Sequence, residues 1–276
     1  MRKEWGGDGY VEWEEEDTAY LSVVFSWQLS RAFQRAIWYR AMGYHVRAGG
    51  PAVDLSPSAL ADVAEVGGEI DALPRHNPKA TFTTRGCIRR CEFCAVPKIE
   101  DEFRELDDWP VRPTVCDNNF LASSKPHFDS VIDKLKPLSD IDFNQGLDSR
   151  LLTAYHARRL TELKLRVVRL AWDDTAYEGQ FMRAYETLRG AGIPASIIRV
   201  YVLIGFNDTP EDALYRLQTI KDLGAWPNPM RYQPLNVSTR NGYVAATWTE
   251  RQLRDYMRYW SRQRWLAAVP FEEYER

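Results

Sequence analysis

Thr84-Arg85-Gly86-Cys87-Ile88-Arg89-Arg90-Cys91-Glu92-Phe93-Cys94 holds three of the four cysteines in a chain of 276 residues. Cys87, Cys91 and Cys94 follow the spacing C-x3-C-x2-C, with Gly86 before the first and Phe93 before the last. Three thiolates this close on one loop are soft ligands, selecting an iron-sulfur cluster, zinc or copper(I) over hard cations. As three ligands of a four-iron cubane they would leave one iron open to a small molecule. A structural zinc site usually has four ligands, often as two separated pairs. The remaining cysteine, Cys116, stands alone in an apolar run, so ligand count favours the cluster over zinc; three buried thiols is the plainest alternative.

Outward from this loop, strand and helix signals alternate in the manner of an α/β parallel sheet. Lys79 to Thr84 reads as a strand that delivers the cysteines at its C-terminal end, the face where sites gather in barrels of this kind. Further strands are expected at 113–116, 141–146, 165–172, 197–206 and 230–235, with a helix near 125–135. Six such β/α units make an incomplete barrel, open at the side.

Cys87-x3-Cys91-x-Phe93-Cys94 resembles the cluster motif of the radical S-adenosylmethionine (radical SAM) enzymes. The resemblance covers some 160 residues and implies a partial (β/α)6 TIM-like barrel of the radical SAM type. It further implies a 4Fe-4S cluster on Cys87, Cys91 and Cys94, with S-adenosylmethionine chelating the open iron. Reductive cleavage then generates a 5'-deoxyadenosyl radical that acts on a substrate the motif does not identify. Phe93 would order the loop near the adenine, and an electron donor such as a flavodoxin or ferredoxin is the implied partner. The protein's part is to position the cofactor and exclude water.

The strand ends carry the other candidate cofactor-binding residues. Asp117-Asn118-Asn119-Phe120 is similar to the Asp-Asp-x-Phe variant of the patch that holds the methionine amino group, which needs acceptors; the alternative is a turn, for which Asp and Asn are common. Asn144, Gln145 and Arg150 could reach the cofactor or the substrate, or Asp148 to Thr153 could simply cap a helix. Asp173 is a candidate for ribose hydroxyls, with an N-cap as its alternative. Gly205 matches the family's fifth-strand contact with adenine. Thr209, Pro210 and Glu211 are explained as a helix start without a ligand. Alternation along the strand would turn Cys116 and Asp117 to opposite faces, which favours a packing role for Cys116 over a hydrogen donor or nucleophile.

The remaining segments divide around this core, taken as residues 79–236. Residues 1–19, with Glu12-Trp13-Glu14-Glu15-Glu16-Asp17, read as an acidic, flexible or solvated arm. Residues 20–78 read as a small β-α-β unit and linker: a strand at 20–26, a helix with Phe33, Ile37, Trp38 and Met42 at helical spacing ended by Gly43, a strand at 44–47, and a weak helix around 58–66. Val46-Arg47-Ala48-Gly49-Gly50-Pro51 resembles the turn of cobalamin-binding domains that precede many radical SAM cores, here truncated. The cobalt-ligating Asp-x-His-x-x-Gly pattern is missing, so cobalamin is disfavoured and His45 is read as a satisfied strand histidine.

Residues 237–276 read as a helical extension in which Trp248, Tyr256, Tyr259, Trp260, Trp265 and Phe271 are interleaved with Arg251, Arg254, Arg258, Arg262 and Arg264. Such interleaving can bind single-stranded nucleic acid, though it more often means one packing face and one solvated face. The net charge of −3 adds no nucleic-acid footprint. An alternative in a different class is therefore a non-catalytic zinc or iron-sulfur module that binds nucleic acid through this tail. No apolar run approaches the roughly 18 residues a membrane span needs, and cysteines arranged for a cluster imply a reducing, cytoplasmic setting.

Overall fold

The computed structural model describes residue 5 and residues 7–68, 70–100, 102–262 and 269–274. It is a mixed α/β protein with a six-stranded sheet in the order Trp226–Arg231, Ile198–Ile204, Leu165–Ala171, Ile141–Phe143, Thr114–Val115, Ala80–Thr81. No barrel is closed among the described residues. The chain separates into two compact units: residues 1–81, 89–101 and 233–242 form one, and residues 82–88, 102–232 and 243–276 the other.

In the second unit the strands pair in parallel, with Thr114↔Asp142, Val168↔Ile198 and Arg199↔Trp226 in register. Ile198, Val200, Val202 and Ile204 are completely buried, in one core with Val131 and Leu135, Phe181 and Leu188, and Leu217 and Ile220 from three helices. Period-two alternation turns the residues between them, Arg199, Tyr201 and Leu203, to the face away from that core. The helix Pro210–Asp222 opens as expected, with a capping box between Thr209 and Asp212 and Pro210 in its first turn.

The sixth strand lies at Trp226–Arg231, four residues ahead of its expected start. Pro227 and Pro229 argue against a central strand. This one is at the sheet edge, where no second neighbour needs the missing N–H. The described tail residues, 243–262 and 269–274, group with the second unit. Leu253, Tyr256, Tyr259 and Trp260 of the helix Glu250–Ser261 are buried in its core, and Arg251, Arg254 and Arg258 face solvent. Arg264 and Trp265 lie outside the described residues.

The first unit holds a four-stranded sheet in the order Tyr10–Glu15, Thr18–Val23, His45–Gly49, Glu65–Val66. Its central β-α-β is as expected: Thr18–Val23 and His45–Gly49 pair in parallel around the helix Leu29–Ala41. Three expectations are corrected. Residues 10–15, read as part of a solvated arm, form a strand antiparallel to Thr18–Val23. Tyr10 is buried, Trp13 stacks on Tyr20 at 5.1 Å, and Arg35 neutralises Glu12 at 2.9 Å, so the acidic run is anchored. The helix buries Ala32, Ala36 and Tyr39, with Phe33 packed against the same core, and leaves Ile37, Trp38 and Met42 exposed, so the apolar residues at helical spacing do not all share the buried face. Around 58–66 there is a 3-10 turn, Pro57–Ala59, and a short strand, Glu65–Val66, parallel to His45–Gly49. His45 pairs with Glu65 at 2.9 Å on the surface.

Candidate functional site

The cysteine loop begins where Gly86, at φ +75°, turns the chain after the strand Thr84–Arg85. The residue before that strand is locked from below. Asp117, at the end of Thr114–Val115 and only 3% exposed, accepts the Thr83 amide at 2.6 Å on one carboxylate oxygen and the Thr83 hydroxyl on the other. Burial pushes its carboxyl above the usual range, and bonds from Thr83 and Thr84 pull it back. Asp117 therefore positions the strand that leads to Cys87, with both oxygens occupied.

Asn119 is the residue of this patch that reaches the thiol. Its Nδ2 is 3.6 Å from the Cys87 sulfur and 3.2 Å from Asp148 Oδ2. Its Oδ1 is buried and accepts no hydrogen bond, an orphaned acceptor of a kind that normally carries an explanation. Asp148, which comes just after the strand Ile141–Phe143, is held by Arg150 Nε at 2.7 Å, and the Arg150 guanidinium lies 5.5 Å from the Tyr177 ring. A chain of polar groups, Cys87–Asn119–Asp148–Arg150, thus crosses two strand ends. Thr153 caps the following helix, Ala154–Leu160, and Asp148 stays with this network. Asn118 is half-buried, Asn144 donates its N–H to the Val115 carbonyl at 2.7 Å, and Gln145 is exposed.

At the fourth strand end, Asp174 caps the short turn Thr175–Tyr177. Asp173 accepts the Leu203 amide at 3.1 Å, and burial lifts its carboxyl to about 6. Such a carboxyl in a strand-end position is a site candidate on physical grounds. Gly205, at φ +77°, has a packing explanation of its own: a Cβ there would lie 2.9 Å from Leu253 Cδ2. Its amide bonds Asp208, which pairs with the completely buried Arg216 at 2.5 Å. Arg216 also donates to the carbonyls of Trp172 and Leu203, so one guanidinium ties two adjacent strand ends together.

Cys91, Cys94 and Phe93 are half-buried, and the Cys94 amide closes a turn onto the Cys91 carbonyl at 3.0 Å. All four cysteines are free of disulfides, and Cys116 is buried. Among the described residues no group of three or more His, Cys, Asp or Glu side chains is gathered as a metal site. The donor chemistry nevertheless suits a thiolate-held cluster: three partly accessible cysteines outside any disulfide within eight positions of sequence, one bonded by an amide N–H, with an orphaned acceptor on that same amide.

Sequence reasoning missed several groups in this unit. Phe206, Tyr232 and Tyr243 form a half-buried aromatic cluster, with ring centroids 4.7 and 5.3 Å apart. Asp142, Arg166, Arg169 and Tyr201 form a polar network on the sheet. Interrupted apolar runs with arginine or aspartate at alternate positions were its available signal. No helix is long and apolar enough to cross a membrane, among the described residues. In comparisons with known proteins, no family model matches the chain and no curated protein matches it.

Proposed function

We infer that this chain is a radical SAM enzyme, its sheet being the family's partial (β/α)6 barrel. The observation that carries the reading is the C-x3-C-x-F-C motif, supported by the Asn119 amide at the Cys87 sulfur and its orphaned oxygen.

Cys87, Cys91 and Cys94 would hold the cluster, which when bound supplies the electron that cleaves S-adenosylmethionine. Amide N–H bonds to cluster sulfurs tune such centres, and Asn119 is the residue placed to provide one at Cys87. Its Oδ1 is an acceptor suited to an ammonium, the role the sequence assigned to the Asp117–Asn119 patch as a whole. Asp117 acts one step back, fixing Thr83. Asp148 and Arg150 hold the Asn119 amide in orientation. Asp173, able to carry a proton near neutral pH, suits hydroxyl recognition, and Phe206 with Tyr232 offers an aromatic surface for a purine. An external one-electron donor completes the requirement. Nucleic-acid stacking by the tail is less well supported, because Trp248, Tyr256, Tyr259 and Trp260 are buried.

The test is anaerobic purification, reconstitution with iron and sulfide, and electron paramagnetic resonance of the dithionite-reduced protein with and without S-adenosylmethionine. A four-iron signal that changes with the cofactor, with release of 5'-deoxyadenosine, is expected. It should be lost in Cys87→Ala, Cys91→Ala and Cys94→Ala. Stoichiometric zinc, or a cluster blind to S-adenosylmethionine, would overturn the reading.

A further inference from the structure

On the face of the sheet away from the helix-packed core, neighbouring strands place Asp142, Arg169 and Arg199 side by side. Asp142 is opposite Val167 in register, Arg169 is opposite Arg199, and Arg199 is opposite Trp226. Asp142, completely buried, is fully engaged. Arg169 reaches it with Nε at 2.6 Å and a terminal nitrogen at 2.7 Å, and Arg166 adds a contact at 2.6 Å. The other Arg169 terminal nitrogen donates to the Tyr201 hydroxyl at 2.9 Å, and that hydroxyl donates to the Asn144 carbonyl at 2.9 Å.

Arg199 is different. It is half-buried and has no hydrogen bond or ion pair with any described residue. Burial first, then the neighbouring Arg169 and Arg166 guanidiniums, push its pKa down, and Tyr201 and Asp142 only partly offset them. Three guanidiniums therefore share one carboxylate on this face. Withdrawing a cation from water beside like charges is unfavourable unless a counter-charge is supplied. A guanidinium fork is also the protein group best matched to a two-oxygen anion. On the adjoining strand Asn228, in register with Tyr201, has an amide whose described contact is the weak acceptor Met230 Sδ at 3.3 Å.

We propose that Arg199, backed by Arg169 and Arg166 and flanked by Asn228, forms an oxyanion-binding site on this face of the sheet, taking a carboxylate or phosphate group of a ligand. The site is independent of the cysteine chemistry and stands whether or not a cluster binds.

Thermal unfolding of the full chain tests it, with inorganic phosphate and succinate as separate probes titrated against sodium chloride at constant ionic strength. The wild type is expected to show a saturable rise of about 3 °C with at least one probe, and the responding probe names the oxyanion. Arg199→Gln should abolish that rise while unfolding no lower than wild type in chloride. Arg199→Lys should retain part of it. The proposal is overturned if neither probe stabilises the wild type, if Arg199→Gln keeps the response, or if it unfolds several degrees lower in chloride, which would make the arginine a structural strut.

Discussion

Asn119 directs its amide nitrogen at the Cys87 sulfur from 3.6 Å, while the oxygen of the same amide is buried without a donor. One side chain thus links the cysteine loop to the second strand end and holds a buried acceptor with no donor among the described residues.

Replacing Asn119 with Leu should therefore affect iron retention more than folding. Groups that orient a metal ligand typically contribute 10–100-fold in metal affinity. Asn119→Leu is expected to lose about that much iron to a chelator competition after reconstitution, with a circular dichroism spectrum like wild type. Iron retention equal to wild type would remove Asn119 from the site.

Asp173 gives a pH dependence of definite sign. Its folded-state value of about 6 lies above the ordinary aspartate value near 4, so the folded state favours the proton. The protonated carboxyl supports folding fully below pH ~4, and that support is lost as pH rises through about 6. Asp173→Asn should be more stable than wild type at pH 7.5 by up to about 2 kcal/mol, allowing for partial solvent access, with the difference gone by pH 4. Urea midpoints at the two pH values decide it.

Removing Arg216 should be the most damaging single change in the second unit. It would leave the Asp208 carboxylate without its cation and strip the Trp172 and Leu203 carbonyls of their donor. Breaking a buried pair from one side costs about 3–5 kcal/mol. Arg216→Ala is expected to lower the denaturation free energy by that amount. Asp208→Asn combined with Arg216→Met should recover a measurable part.

Gly205→Ala is expected to destabilise by about 1–3 kcal/mol in denaturant unfolding, since it forces a left-handed backbone on alanine and drives a methyl toward Leu253. Gly190→Ala is the control. It ends the helix Glu178–Gly190 with nothing within 4 Å of the new methyl, and should be neutral or stabilising by up to about 1 kcal/mol.

Much of the fold was legible because its signals are local. Ile198–Ile204 is apolar and β-branched at every buried position, Leu165–Ala171 carries the short apolar run Val167-Val168 and Leu170, and both fall within the expected ranges. Thr209-Pro210-Glu211-Asp212 declares a helix start through bonds made inside four residues. The failures were at positions where a partner far along the chain decides. Glu12 is held in a strand by Arg35, and Pro227 is tolerated because its strand is at an edge. Ile37 and Trp38 are left outside because the helix turns Ala32, Ala36 and Tyr39 to the core instead.

The same division holds at the site. Residue type and spacing alone made Cys87, Cys91 and Cys94 candidate soft ligands, because the thiolate is a soft donor whatever the fold and the short spacing limits how far apart the three can lie. Only the tertiary structure decided the roles within Asp117-Asn118-Asn119. Asp117 turns to Thr83 and Asn119 to Cys87, because packing and hydrogen-bond satisfaction across strands, rather than side-chain chemistry, select which way each residue points. It also decided that Arg199 makes no ion pair of its own among the described residues, since the register that places it beside Arg169, and leaves Asp142 bonded to the other two arginines, exists only once the strands have paired.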